Sequence, residues 1–235
     1  MKASHARRTY DQQCGLAYAL DVVGERWTLL IIRELLLGPR RYRELLEALP
    51  GIGTNLLADR LAFLAEAGIV RPVDARRRTG GYELTTQGER LREPVLAMAR
   101  FGLAMLAEQR GPRRASVVRA SWAILAVEAM VDAARATADE SYEFEVDSEV
   151  FHIAVDDGTA RTRLGPAADP ALRVRTDVTT FFDVGSGVIE PMEALLTGAV
   201  QVSGSAAAVR RCIVLLGLAS ERDDLGQLVP AQREN

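Results

Sequence analysis

Between Gly38 and Thr85 the apolar positions fall into two spacings. Leu57, Leu61 and Leu64 recur at i, i+4 and i+7, which predicts a helix with one buried stripe. Its opposite face carries Asn55, Asp59 and Glu66, with Thr54 near the N-terminal end and Arg60 at the border. Tyr42 to Leu49 predicts a shorter helix in front of it, stopped by Pro50-Gly51. Ile69 to Val73 and Tyr82 to Thr85 then pair as a hairpin whose tip holds Arg76, Arg77, Arg78 and Gly80-Gly81. This order is the layout of a winged helix-turn-helix. The stripe docks the second helix and leaves a polar face for a major groove, while the basic tip suits the DNA backbone or minor groove.

The flanks continue the pattern. Met1 to Gln13 is a polar, basic arm. Cys14 to Val23 predicts a short apolar helix ended by Gly24. Arg26 to Leu37 predicts another, with Trp27, Leu30, Ile31 and Leu35 at buried spacing and Gly38-Pro39 as its stop. Thr86 to Gln109 reads as one long helix with Leu91, Val95, Met98, Phe101 and Met105 on a broad face, which needs an apolar partner. Arg110 to Ala115 has the Gly-Pro and charge of a linker. We therefore expect two domains, 1–112 and 113–235.

In the second domain, Ser116 to Thr137 predicts a long amphipathic helix. The period then changes to two: Tyr142, Phe144 and Val146 alternate, as do Phe151, Ile153 and Val155. Asp157-Gly158 is a hairpin turn. Thr159 to Leu164 and Leu172 to Thr176 are further strands. Asp177 to Val184 and Pro191 to Thr197 are short helices, Ala199 to Ser203 a strand, and Ser205 to Leu218 a closing helix. This order predicts an α+β fold with helices on one face of a curved, largely antiparallel sheet.

Charge sharpens the division. The 235 residues carry a net charge of −3, but 1–112 holds 17 Lys+Arg against 13 Asp+Glu, and 113–235 holds 12 against 19. The first half is thus net +4, with clusters at Arg40, Arg41, Arg43 and at Arg76, Arg77, Arg78, and the second is net −7. Phosphate attracts the first and repels the second. The two cysteines, Cys14 and Cys212, are neither a disulfide framework nor a zinc site, and two unclustered histidines make a metal site improbable. There is no phosphate-binding glycine loop, nucleophile elbow or HExxH, and no nucleophile is paired with a base. We expect no enzyme activity, no cofactor and no metal. No apolar run approaches the roughly 20 residues of a bilayer span and the N-terminus has no apolar signal core, so we expect a cytoplasmic protein without a membrane partner.

Two family resemblances add to this. The stretches CGLAYALDVVGERWTLLIIRELLLGPRRYREL from Cys14, LPGI from Leu49, LLADRLAFLAEAGIV from Leu56 and YELTTQG from Tyr82 closely resemble HxlR-type winged-helix regulators, over about Cys14 to Leu106. The resemblance implies a DNA-binding homodimer joined through the 86–109 helix and the N-terminal helix. The family often has Ser at the start of the recognition helix; here Gly53 and Thr54 stand there, and Thr54 can cap. Cys14 sits where the family places an N-terminal cysteine that senses oxidants or electrophiles in some members. No Lys, Arg or His adjoins it in sequence, so we expect a small buried helix residue near the dimer interface. LRVRTDVTTFFDV from Leu172 and PMEALLTGAVQVSGS from Pro191 resemble the type-two sterol carrier protein domain, over about Ser116 to Leu218. That implies a hydrophobic tunnel, for which Trp122, Phe144, Phe151, Phe181, Phe182, Met192 and Leu196 are the candidates.

The sequence reading is a transcriptional regulator, most plainly a repressor. It binds a pseudo-palindromic operator in double-stranded DNA through Arg40, Arg41, Arg43, Thr54, Asn55, Arg60, Arg76, Arg77 and Arg78, and a small hydrophobic ligand modulates it. The alternatives are a redox regulator using Cys14 with a purely structural second domain, and a lipid-binding carrier.

Overall fold

The computed structural model describes residues 9–73, 81–108 and 117–218. They form two compact units that divide between Ala97 and Met98.

The first unit holds α1 (Gly15–Val23), α2 (Thr28–Leu36), α3 (Tyr42–Ala48), α4 (Thr54–Glu66), β1 (Val70–Val73), β2 (Gly81–Leu84), the short α5 (Thr86–Glu89) and the start of α6 (Arg92–Glu108). Its core is the meeting of the apolar helix faces, though on α2 the expected Leu30 is exposed and Ile32 is buried in its stead. Ile31, Ile32 and Leu35 of α2, Leu45 of α3, and Leu57, Leu61 and Leu64 of α4 are at most 2% exposed. Burying each such side chain is worth about 1.5–3 kcal/mol relative to leaving it in water. The hairpin pairs Val70 with Leu84 and Val73 with Gly81. Arg40 adds a bridge on its other side: Arg40 N donates to Tyr82 O at 2.9 Å, and Tyr82 N donates to Arg40 O at 2.8 Å. The backbones lie so close there that a Cβ on Gly81 would stand 2.4 Å from Arg40 O.

The predicted helix over 86–109 is two helices. Pro94 has no N–H and its ring crowds the carbonyl four residues back, that of Arg90. The chain accordingly leaves the helix at Arg90 and restarts at Arg92. From Met98 onward α6 belongs to the second unit, where Arg100 Nη1 donates to Ala129 O at 3.3 Å. These two units part inside α6; the expected 110–115 linker lies outside the described residues.

The second unit is a five-stranded curved sheet in the order β5-β4-β3-β6-β7, built from β3 (Ser141–Val146), β4 (Glu149–Asp156), β5 (Thr159–Leu164), β6 (Leu172–Thr176) and β7 (Gln201–Gly204). Only β3 and β6 run parallel. The β4–β5 turn has Asp157 at φ +46° and Gly158 at φ +68°, the positive pair that a two-residue hairpin turn requires. One face of the sheet is apolar, with Tyr142, Phe144, Val146, Phe151, Ile153 and Leu172 buried. The other carries cross-strand ion pairs, Arg173 with Glu143 at 3.2 Å and Arg175 with Glu145 at 2.7 Å. Four helices cover the apolar face: α7 (Ala123–Met130), α8 (Val178–Gly185), α9 (Pro191–Leu196) and α10 (Ala206–Leu215).

The long helix predicted over 116–137 is also broken. A 3-10 turn over Ala120–Trp122 leads into α7, which ends at Val131 (ψ 124°), and a second 3-10 turn spans Ala133–Arg135. The break is tertiary in origin. Asp132 N donates to Leu215 O at 3.0 Å, and the Asp132 carboxylate accepts from Ala134 N.

Candidate nucleic-acid interface

The candidate recognition element is α4, and its exposed side is sharply defined. Thr54, Asn55, Ala58, Asp59 and Ala62 are exposed while Leu57, Leu61 and Leu64 are buried. The turn before it is fastened from two sides. The Tyr42 hydroxyl donates to Thr54 O at 2.6 Å. The Trp27 ring packs under Gly51, whose φ of +94° only glycine adopts without strain. Trp27 itself takes a left-handed backbone (φ +78°), which is costly for a side chain of that size. Thr54 is not the cap. Gly53 occupies the N-cap and Thr54 begins the helix, so its hydroxyl faces outward from the first turn.

The basic candidates divide. Arg43 is exposed on α3, and Arg41 is the N-cap residue of that helix, its backbone N–H donating to Glu44 Oε2 at 2.7 Å. Arg40 is half-buried by its bridge to Tyr82. Arg60 turns inward and pairs with Glu25 at 3.1 Å. Sequence reasoning missed Glu25, which lies 35 residues away, and no local pattern signals such a pair. Arg76, Arg77 and Arg78 lie outside the described residues. On the wing strands that are described, Arg71 pairs across with Glu83 at 2.7 Å.

Cys14 differs from the expectation of a buried residue. It is exposed, at the N-cap of α1. The backbone N–H groups of Ala17 and Leu16 favour its thiolate and hold the thiol below its ordinary value. The stretch before it is tied down by Asp21, which accepts from Tyr10 N at 3.1 Å and from Thr9 Oγ1 at 3.2 Å.

Several apolar side chains are exposed. On α6 these include Met98, Phe101 and Met105, at i, i+3 and i+7, with Leu106, and on α1 Leu16, Tyr18 and Leu20. A cavity of about 100 Å³ lies between the sheet of the second unit and its helices. Of the expected tunnel residues, Phe144 and Phe181 line it. Trp122, Phe151, Phe182, Met192 and Leu196 do not. Phe151 is buried beneath, its ring stacked on Phe144 at 5.3 Å and set edge-on to Phe181, whereas Leu196 is 82% exposed. The lining is mostly aliphatic, from Val127, Val174, Leu195, Val209 and Ile213 among others. A search guided by aromatic residues passes over these; the apolar stripe of the closing helix is the signal that points to them.

Among the described residues no group of His, Cys, Asp and Glu is placed to hold a metal ion, and no helix is long and apolar enough to cross a membrane.

Comparison with known proteins agrees with the first unit. Residues 22–110 match the HxlR-like helix-turn-helix family. An HTH-type transcriptional regulator of Synechocystis sp. is 33% identical over 100 residues, covering 41% of this chain and 73% of that protein. Another, from Mycobacterium tuberculosis, is 38% identical over 96 residues, covering 40% of this chain and 60% of that protein. Among solved structures, the quinone-bound YodB of B. subtilis is 32% identical, covering 38% of this chain and 96% of that one, at a TM-score of 0.34. Through the part of the chain that carries α2 to α6, this protein belongs to the HxlR-like helix-turn-helix family, whose members here are HTH-type transcriptional regulators.

Proposed function

We propose that the protein is a transcriptional repressor that binds a pseudo-palindromic operator as a homodimer and is modulated by a small hydrophobic ligand in its second domain. The observation that carries the DNA reading is the exposed first turn of α4, where Thr54 and Asn55 stand clear of a buried leucine stripe. Arg43 on the neighbouring helix and the arginines at 76–78 are assigned to phosphate. The dimer reading rests on Met98, Phe101 and Met105, an apolar ridge that a second copy would cover. A dimer presents two recognition helices about 34–36 Å apart, one turn of DNA, which matches a palindrome.

We assign 1–112 to DNA binding and dimerisation and 113–235 to a sterol-carrier-like, ligand-binding domain. The apolar cavity under the curved sheet supports this second assignment. A ligand that prefers the conformation with misaligned recognition helices lowers operator affinity by that difference in affinity and no more.

The test is binding to the DNA upstream of the protein's own gene across a salt series, with and without a lipophilic extract of the host culture. Replacing Arg76, Arg77 and Arg78 by Ala is expected to weaken binding to all DNA and flatten the salt dependence by about 0.9 per lost phosphate contact. An unchanged slope removes the wing assignment.

A second reading is favoured by Cys14. Its exposed, thiolate-stabilised sulfur suits a redox switch, with the second domain purely structural. A Cys14→Ser protein that still responds to oxidant excludes it.

A further inference from the structure

The cavity in the second unit has one unusual property, which is the poverty of its polar chemistry. Among the described residues that line it, only Thr176 and Cys212 carry an O–H or S–H group, and none is charged. The Thr176 hydroxyl has its proton engaged, donating to Ala199 O at 3.0 Å, so it offers a ligand no donor. β6, which forms one wall, is paired along both edges, to β3 and to β7, so its backbone offers little to a ligand. Burial, with Glu140 nearby, pushes the Cys212 thiol up to about 12, so it is neutral at physiological pH.

From this lining, and resting on the reading of the second domain as ligand-binding, we infer that the cavity takes a neutral apolar molecule about the size of one aromatic ring, held without a polar anchor. Size sets the first limit. The cavity is about 100 Å³. Pockets for drug-sized ligands are about 300–1,000 Å³, so a long acyl chain or a sterol is not contained within it. A cavity of about 150 Å³ lined by Leu, Ile and Phe stays dry and binds benzene. Met130 lines this one, and an unbranched thioether is the side chain best able to yield the remaining space. Polarity sets the second limit. A hydroxyl that enters leaves its hydrogen bonds in water and meets no donor in return, so it binds more weakly. A carboxylate costs more. Selectivity therefore runs toluene, then phenol, then benzoate.

The experiment is a calorimetric titration of the full chain with toluene, phenol, benzoate and dodecanoate. It is repeated on Val202→Phe. Val202 lines the cavity from the edge strand β7 and is 39% exposed, so the larger ring fills the space at little risk to folding. Val202→Leu is the milder companion if the Phe variant loses its cooperative unfolding transition. Saturable toluene binding, phenol at least tenfold weaker, benzoate at least a hundredfold weaker, and loss of toluene binding in the filled variant support the inference. Phenol or benzoate binding as well as toluene overturns it. Dodecanoate binding in preference to toluene overturns it too, but leaves the second domain a ligand-binding one. Failure of all four to bind overturns both.

Discussion

Arg60 Nη2 lies 3.1 Å from Glu25 Oε2, so the one arginine on the recognition helix is bound to the turn between α1 and α2. Its side chain is 22% exposed. The same turn supplies Trp27, whose ring supports Gly51 ahead of α4. Under the proposed function, this pairing has Arg60 set the angle of its helix instead of touching phosphate. Arg60→Ala is expected to leave the salt slope of operator binding unchanged. A phosphate contact, if it existed, would flatten that slope by about 0.9. Glu25→Gln frees Arg60 and is expected to steepen the slope while changing stability by less than about 1 kcal/mol, as befits a partly exposed pair. Filter binding at four salt concentrations separates these outcomes.

Gly88 is held against the end of the wing. Thr85 Oγ1 accepts from Gly88 N at 3.1 Å and donates to Gly68 O at 2.6 Å, which draws the start of α5 onto Ile69. A Cβ at Gly88 would stand 2.2 Å from Ile69 O. Gly88→Ala is expected to lower the stability of the first unit by at least about 2 kcal/mol, since backbone on both sides has to move. Urea unfolding followed by the fluorescence of Trp27 measures it, and a loss below 0.5 kcal/mol, on the order of an ordinary surface change, would show that the contact is easily relieved.

The two cysteines are expected to titrate in opposite directions. Cys14 is exposed and its thiolate is favoured by the N–H groups of Ala17 and Leu16, so it alkylates at a lower pH than an ordinary thiol. Cys212 is buried and raised to about 12. Against an ordinary thiol near about 8.5, its thiolate fraction at pH 8 falls by about three orders of magnitude. Stability follows with opposite signs. The depressed Cys14 adds stability as pH rises through its folded value. The raised Cys212 favours the fold below the unfolded value, and that contribution is lost as pH climbs from there toward about 12. Alkylation with iodoacetamide at pH 7, read by peptide mass spectrometry, is expected to label Cys14 at least tenfold faster than Cys212. Equal labelling in the native protein contradicts this, and equal labelling in urea is the control.

How much of this was legible follows from which contacts are local. Leu57, Leu61 and Leu64 announced α4 because helical period reports burial directly. Tyr142, Phe144 and Val146 announced the inward face of β3 for the same reason, and Asp157-Gly158 its own turn. Pro94 was equally visible, but the apolar repeat running across it argued for one unbroken helix, and the proline prevailed. The end of α7 at Val131 has no such mark, because the carbonyl of Leu215 draws Asp132 out of the helix. The pairing of Arg60 with Glu25 and the outward turn of Leu196 were hidden likewise. Each depends on how one element is rotated against another, which composition and spacing do not encode.

Glu140 and Arg211 join the start of β3 to the closing helix. Arg211 Nε and Nη2 donate to the two carboxylate oxygens at 2.6 and 2.7 Å, and the Tyr142 hydroxyl donates to the same carboxylate. The arginine holds Glu140 below the usual carboxylate range, and the environment raises Tyr142 well above its ordinary value. A depressed acid stabilises the fold above its unfolded value, near about 4.3 for Glu, and that contribution disappears as pH falls through the lower, folded value. The second unit is therefore expected to lose stability in the acid range below about pH 4 more steeply with Glu140 than with Gln in its place. Breaking a fully buried pair costs about 3–5 kcal/mol. With Arg211 32% exposed, solvent replaces much of the lost partner, so the loss for Glu140→Gln at pH 7 falls well short of that. Arg211 lies on α10, which carries Val209, Cys212 and Ile213 into the cavity wall. Thermal unfolding of both proteins from pH 3 to pH 8 tests this. The difference in midpoint is expected to be largest at neutral pH and to shrink as pH falls through the acid range, and a difference that stays constant across that range would mean that the glutamate acts through its shape and not its charge.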